Sequence, residues 1–286
     1  MRLRKIGLSA ATASLALGLS LAAAPAPAQQ TAQQTVQQKP APPKAAPQQA
    51  APLRQNPDSR ALDELAYRDC LAAVRKNPED GFATAQTWQA SGGGLAAGHC
   101  AALALVELRH YGDAADRLEK LLPLAEKQAP WMTVSILDQA AMAWLEAELP
   151  DRARQLMDIA VKAAADQPDL RIDRALVLAQ LGDYAGARAD LDHALSLDPT
   201  REDAYALRAA ARRHLNDMAG ALEDAETALA INGRAPEALL ERGILRLQAG
   251  NRRGAHRDFL DVRLIAPDSP AAITAGRYIA EMDVRQ

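Results

Sequence analysis

A pattern written three times at a fixed spacing of 34 residues, from Pro168 to Ser269, limits the fold more than any other feature of the chain. Aligned without gaps, it stacks Ala175, Ala209 and Gly243 in one column and Ala187, Ala221 and Ala255 in a second. Leu191, Ala225 and Phe259 make a third column, and Ala194, Ala228 and Val262 a fourth. Between the first two columns lie Gly182-Asp183, Asn216-Asp217 and Gly250-Asn251, residue types that tolerate the left-handed backbone needed to turn one helix back on another. Each copy is therefore expected to be a helical hairpin. Small residues recur where two helices cross closely, larger apolar ones where they interlock, and Pro199 and Pro267 close two of the copies.

This arrangement resembles the tetratricopeptide repeat family, whose helix-turn-helix unit has small residues at its eighth, twentieth and twenty-seventh positions. With Pro168, Glu202 and Pro236 as first positions, all three columns coincide. The large residue usual at the fourth position is present as Tyr205 and Leu239, but the copy at 168 has Arg171, which predicts a less firmly seated first helix there. The resemblance implies an all-α, right-handed α-solenoid of stacked hairpins with a concave groove that binds peptide segments. It implies no catalysis.

The register extends in both directions. Residues 134–167 form a further copy, with Ala141, Ala153, Met157 and Ala160 in the columns, although the turn Glu148-Leu149-Pro150-Asp151 departs from the Gly-Asp form. Four repeats are thus expected, at 134–167, 168–201, 202–235 and 236–269. Residues 59–133 predict two degenerate hairpins. The first runs from Ser59 through Asn77-Pro78, with Phe82, Ala85 and Trp88 on its second helix, to Gly92-Gly93-Gly94. The second pairs a helix from Leu95 to Arg109 with one from Asp113 to Lys127, and has Ala102, Ala114 and Leu118 in the columns; Pro130 interrupts after it. Residues 270–286 predict a single capping helix, as terminal units of stacked repeats commonly are.

Composition fits this reading: of 286 residues 49% are hydrophobic and only 3% aromatic, which suits Ala/Leu helix packing rather than a sheet sandwich. Ahead of the repeats, Arg2, Arg4 and Lys5 precede an apolar run from Ile6 to Ala24, and Ala26-Pro27-Ala28 offers a small-x-small cleavage site. The run is rich in Ala, Ser and Gly and barely long enough to span a bilayer, so residues 1–28 are expected to be a cleaved signal peptide and the mature chain to be periplasmic, with no membrane span. Residues 29–58, rich in Gln, Pro and Ala, bury too little apolar surface to offset their ordering entropy and predict a disordered linker. Its use is either reach away from a membrane or wall, or spacing for processing. Cleavage would remove three of the 33 Lys plus Arg and none of the 36 Asp plus Glu, a balance that argues against a nucleic-acid partner held by phosphate contacts.

The chain has no Gly-rich phosphate loop, His-Glu-x-x-His or Gly-x-Ser-x-Gly motif, and its His residues are scattered at 99, 110, 193, 214 and 256. His99-Cys100 is the one pairing suggestive of a metal or thiol, yet adjacent helical residues point in different directions and nothing completes a site. No cofactor, metal or catalytic residue is expected. In an exported chain Cys70 and Cys100 predict a disulfide between the first two hairpins. Arg174, Arg208 and Arg242 each precede Asp190, Asp224 and Asp258 by 16 residues, which places an arginine and a carboxylate on facing helices of each hairpin. Internal ion pairs are expected here rather than an arginine ladder for an acidic ligand. Exposed pairs of this kind contribute about 0 to 1 kcal/mol each.

The resemblance places the second, fifth, ninth, twelfth and thirteenth positions on the concave face. These are Asp169, Ile172, Leu176, Ala179 and Gln180; Asp203, Ala206, Ala210, Arg213 and His214; and Glu237, Leu240, Ile244, Leu247 and Gln248. Their apolar middle predicts binding of an apolar or helical protein segment, with Arg213 and polar edge residues orienting it. A competing assignment buries Ile172, Leu176, Leu240 and Ile244 under neighbouring helices. The expected function is a periplasmic protein–protein interaction or assembly module. Its alternatives are a chaperone-like holder of envelope proteins and an enzyme whose site lies in 59–133.

Overall fold

The computed structural model describes residues 57–284, with side chains from residue 64 onward. The expected signal peptide at 1–28 and nearly all of the linker at 29–58 lie outside the described residues. Thirteen helices and no strand occur among those described: α1 (Pro57–Lys76), α2 (Pro78–Ala90), α3 (Gly94–Glu107), α4 (Tyr111–Gln128), α5 (Pro130–Glu146), α6 (Pro150–Ala163), α7 (Pro168–Gln180), α8 (Tyr184–Leu197), α9 (Glu202–His214), α10 (Met218–Ile231), α11 (Pro236–Gln248), α12 (Arg252–Ile265) and α13 (Pro270–Val284). None of them is long and apolar enough to cross a membrane.

From α3 onward each hairpin reverses through one left-handed residue, whereas α1 passes into α2 through Asn77 at φ −150°. Gly182, Asn216 and Gly250, at the fifteenth position of their repeats, have φ of 78°, 63° and 80°. Glu148 and Arg109 adopt the same conformation at 61° and 62°, so the turns that depart in sequence keep the geometry, at the steric cost a side chain incurs there. The next residue caps the second helix. Asp183, Asp217 and Asn251 accept the backbone N–H of Gly186, Gly220 and Gly254 at 2.9, 3.0 and 2.9 Å.

Every residue of the four sequence columns is buried. Where the third column carries its largest member, Phe259, the first column carries its smallest: a Cβ on Gly243 would stand 2.6 Å from the Phe259 ring. Odd-numbered helices of successive hairpins pack on one another, α5 on α7, α7 on α9, α9 on α11 and α11 on α13. Among the described residues the even-numbered helices form no such row, so the stack curves with α5 to α13 on its inner wall. The core is a ribbon of linked apolar clusters between the two rows of helices, as stacked repeats require.

Two boundaries differ from the sequence reading at a proline. α1 begins at Pro57, inside the expected linker, because Pro at the first helical turn lacks only an N–H that the helix does not use. α5 begins at Pro130 rather than at the repeat start of 134 for the same reason, and this extension leaves Trp131 80% exposed. Cys70 of α1 and Cys100 of α3 are joined, with Cα atoms 6.4 Å apart and both side chains buried.

Candidate functional site: the concave face

Built from the odd-numbered helices, the inner wall is less open than the family positions imply. Ile172, Ala206 and Ile244 are buried at 4, 3 and 4% exposure and belong to the core. Leu176, Ala179, Gln180, Ala210, Leu240 and Leu247 are half-buried, while Glu237, His214 and Gln248 are exposed. The competing assignment therefore holds for Ile172 and Ile244, and the apolar surface left to a ligand is narrower than expected.

The cause is a second register between neighbouring repeats. The fifth position of one repeat meets the sixth position of the next. His99 of α3 meets Gln139 of α5, Asp138 of α5 meets Asp173 of α7, and Ile172 of α7 shares an apolar cluster with Leu207 of α9. A fifth-position side chain is thus spent on its neighbour before any ligand arrives. At the next step Ala206 is small, and Glu241 of α11 instead accepts from Arg213 of α9 at 2.7 Å. Arg213 is consequently tied down. The exposed His214 beside it stacks on Tyr184 with ring centroids 4.0 Å apart.

At the N-terminal end the rung is a hydrogen-bond chain across three helices. Tyr67 Oη of α1 donates to His99 Nδ1 at 2.6 Å, His99 Nε2 donates to Gln139 Oε1 at 2.6 Å, and Gln139 Nε2 donates to Ser135 Oγ at 3.3 Å. Burial lowers the His99 pKa and keeps the ring neutral, as a histidine that both accepts and donates must be. Burial also pushes the Tyr67 hydroxyl up to about 12. His99 therefore locks α1, α3 and α5 together beside the disulfide that engages Cys100. No group of three or more His, Cys, Asp or Glu that could hold a metal occurs among the described residues.

The following rung is acidic. The Asp138 and Asp173 carboxyls face each other across α5 and α7, with Asp169 near both and Arg201 near Asp173. Both pKa values are raised, foremost by burial, and that of Asp173 further by the charges of Asp138 and Asp169. Two close carboxyls cannot both ionise cheaply, so they share a proton. Oδ1 of Asp138 is buried and receives no N–H or O–H. Arg201 closes this end of the wall by bonding Asp169 and, at 2.9 and 2.8 Å, both oxygens of Asp203.

The arginine–aspartate pairs stand behind this wall and are internal. Arg174, Arg208 and Arg242 each bind Asp190, Asp224 and Asp258 through two nitrogens, at 2.6 and 2.7, 2.8 and 2.7, and 3.2 and 2.7 Å. They are not the weak exposed pairs expected, because the three aspartates are buried and each engages a second arginine. Arg212 reaches Asp224 at 3.0 Å and Arg246 reaches Asp258 at 2.7 Å. For Asp190 the second partner is Arg171, at 3.0 Å. Arg171 at the fourth position thus anchors α7 instead of loosening it. The first arginine also crosses to the preceding repeat, Arg174 to Asp158 at 3.2 Å and Arg208 to Asp192 at 2.7 Å, so one side chain fixes both hairpin and stacking register.

Sequence reading missed Asp138, Gln139, Asp173, Arg201 and Glu241. For Asp138, Gln139 and Asp173 the signal lay in comparing the fifth position of each copy with the sixth of the next, a relation that exists only once copies are stacked.

A tetratricopeptide repeat family model matches residues 139–212. Among solved structures, YrrB, a TPR protein with an unusual peptide-binding site, is 18% identical over 63% of this chain and 91% of its own, with a TM-score of 0.46. MamA is 18% identical over 54% of this chain and 88% of its own, at 0.46. The first TPR of Spaghetti (RPAP3), bound to an HSP90 peptide, is 24% identical over 41% of this chain and 93% of its own, at 0.39. No curated protein matches the chain.

Proposed function

We propose that this chain, which matches a tetratricopeptide repeat family model over residues 139–212, is a protein-interaction module that holds a peptide segment of a partner on the inner wall formed by the odd-numbered helices from α5 to α13. One observation supports this above the others. Leu176, Ala210, Leu240 and Leu247 remain half-buried on the inner wall, and although Leu240 and Leu247 pack on the core with one side, each leaves apolar surface exposed beside the charged groups at Asp203, Arg213 and Glu237. Such a track takes the apolar face of a segment, and the border orients it. The role is binding, not catalysis. The basic start, apolar run and Ala26-Pro27-Ala28 support export and action in the periplasm, with a mature terminus at about Gln29 by N-terminal sequencing.

The test is partner capture by the full chain, crosslinked in the intact envelope. Leu240→Glu or Leu247→Glu abolishes capture at unchanged helicity, whereas Phe259→Glu unfolds its repeat because that ring is fully buried. A folded Leu240→Glu protein that still captures every partner of the parent overturns the assignment. Capture of many unrelated unfolded proteins, rather than a few, would identify a holding chaperone on the same wall.

A further inference from the structure

α13 is the last helix among the described residues, and it turns an apolar face away from the preceding repeat. Its inward face is Ala271, Ala272, Ala275 and Met282, all buried against the preceding repeat. On the opposite side Ile273 is 64% and Val284 86% exposed, with Gly276, Arg277, Ala280 and Glu281 between and beside them.

The adjoining column changes character at the same place. In two earlier steps the carboxylate at the twenty-fifth position meets the seventh-position arginine of the next repeat, Asp158 with Arg174 and Asp192 with Arg208. Between α12 and α13 those positions hold Leu260 and Gly276, and a Cβ on Gly276 would meet nothing within 4 Å. One turn beyond Leu260, Leu264 is 80% exposed. Where those two steps have an ion pair, this one has leucine beside open space, which suits an apolar neighbour and not water.

We propose that this face binds a second copy of the chain, with the two α13 helices packed antiparallel across a two-fold axis. The pattern of α13 is complementary to itself in that arrangement. A two-fold axis passing between Tyr278 and Ile279 brings Ile273 opposite Val284 of the second copy at both ends. Arg277 comes opposite Ala280, and Gly276 opposite Glu281, so small residues at the centre permit close approach. Arg277 and Glu281 lie on the same flank of the exposed face. An antiparallel two-fold joins like flanks, so each Arg277 reaches Glu281 of the other copy, giving two symmetric ion pairs around an apolar centre. A parallel pairing would instead oppose Arg277 to Arg277.

Sedimentation equilibrium of the full chain over a concentration series tests this. The parent is expected to dimerise. Ile273→Glu, at an exposed site, is expected to give a monomer of unchanged helicity and unfolding temperature. Arg277→Glu and Glu281→Arg are each expected to weaken dimerisation about tenfold, and the double exchange to restore it, since the pairs are re-formed with reversed sign. A parent that stays monomeric to its solubility limit overturns the proposal, including the case in which residues 1–56 of the same chain crosslink to α13. So does a dimer indifferent to Ile273→Glu, or one in which the double exchange is no better than either single variant.

Discussion

The Asp138 carboxyl on α5 faces the Asp173 carboxyl on α7 across two adjacent helices of the inner wall, and burial raises both pKa values, which favours one proton held between them. Groups whose pKa is raised on folding contribute stability that is fully present below the unfolded value, near 4, and is lost as pH rises through the folded one. Stability from this pair therefore falls from weakly acid to neutral pH. His99, neutral when buried, acts in the opposite sense and costs stability as pH falls. Asp173→Asn removes the acidic pair but not His99. Subtracting its urea-unfolding curves from the parent's should reveal a contribution of about 1 to 3 kcal/mol that declines between about pH 4 and 8. A pH-independent difference would mean that the two carboxyls do not share a proton.

Asp224 is held by Arg208 and Arg212, which makes the two arginines partly redundant. Arg208→Ala or Arg212→Ala alone leaves the buried carboxylate one guanidinium and should cost about 1 to 2 kcal/mol. Removing both strands the charge and should cost about 3 to 5 kcal/mol, more than the single losses combined. A double-mutant cycle by chemical denaturation measures the excess, and strict additivity would show that Arg212 does not share the load. A simple exchange of Arg208 and Asp224 should recover little, because the new aspartate would face Asp192 and the new arginine Arg212.

Gly243 lies against the Phe259 ring, so Gly243→Ala should destabilise by about 1 to 3 kcal/mol through overpacking even though alanine favours helix. Adding Phe259→Leu, the residue type that its column carries at Leu191 opposite Ala175, should recover part of that loss. The turn column makes the reverse case: Glu148→Gly should stabilise by about 0.5 to 1 kcal/mol, since glycine adopts its positive φ without strain. Thermal unfolding reports both, and an unaffected Gly243→Ala protein would contradict the close packing.

Reducing the Cys70–Cys100 bond should loosen α1 and α2 while leaving the repeats from α5 onward intact, because each hairpin contacts only its neighbours. The expected loss is about 2 to 4 kcal/mol. Hydrogen exchange should localise it to residues 64–107, and equal loss of protection at α11 would show that the stack unfolds as one unit.

Periodicity alone determined the hairpins, their turns, the buried columns and the facing positions of Arg208 and Asp224, because all of these are relations inside one 34-residue unit and recur with it. Even the irregular turns at Arg109 and Glu148 follow from register, since the reversal demands a left-handed residue whatever side chain sits there. Contacts between units were decided by the tertiary structure. Nothing at Ile172 or Ile244 separates a groove residue from a core residue until the neighbouring odd helix covers it. Asp138 and Asp173 are 35 residues apart, one more than the repeat, and look like two ordinary surface acids until stacking rotates the fifth position of one helix onto the sixth of the next. Arg171 reads as a missing aromatic until its guanidinium is seen on Asp190. Burial and pKa depend on which helix lies alongside, and that geometry exists only in the assembled stack.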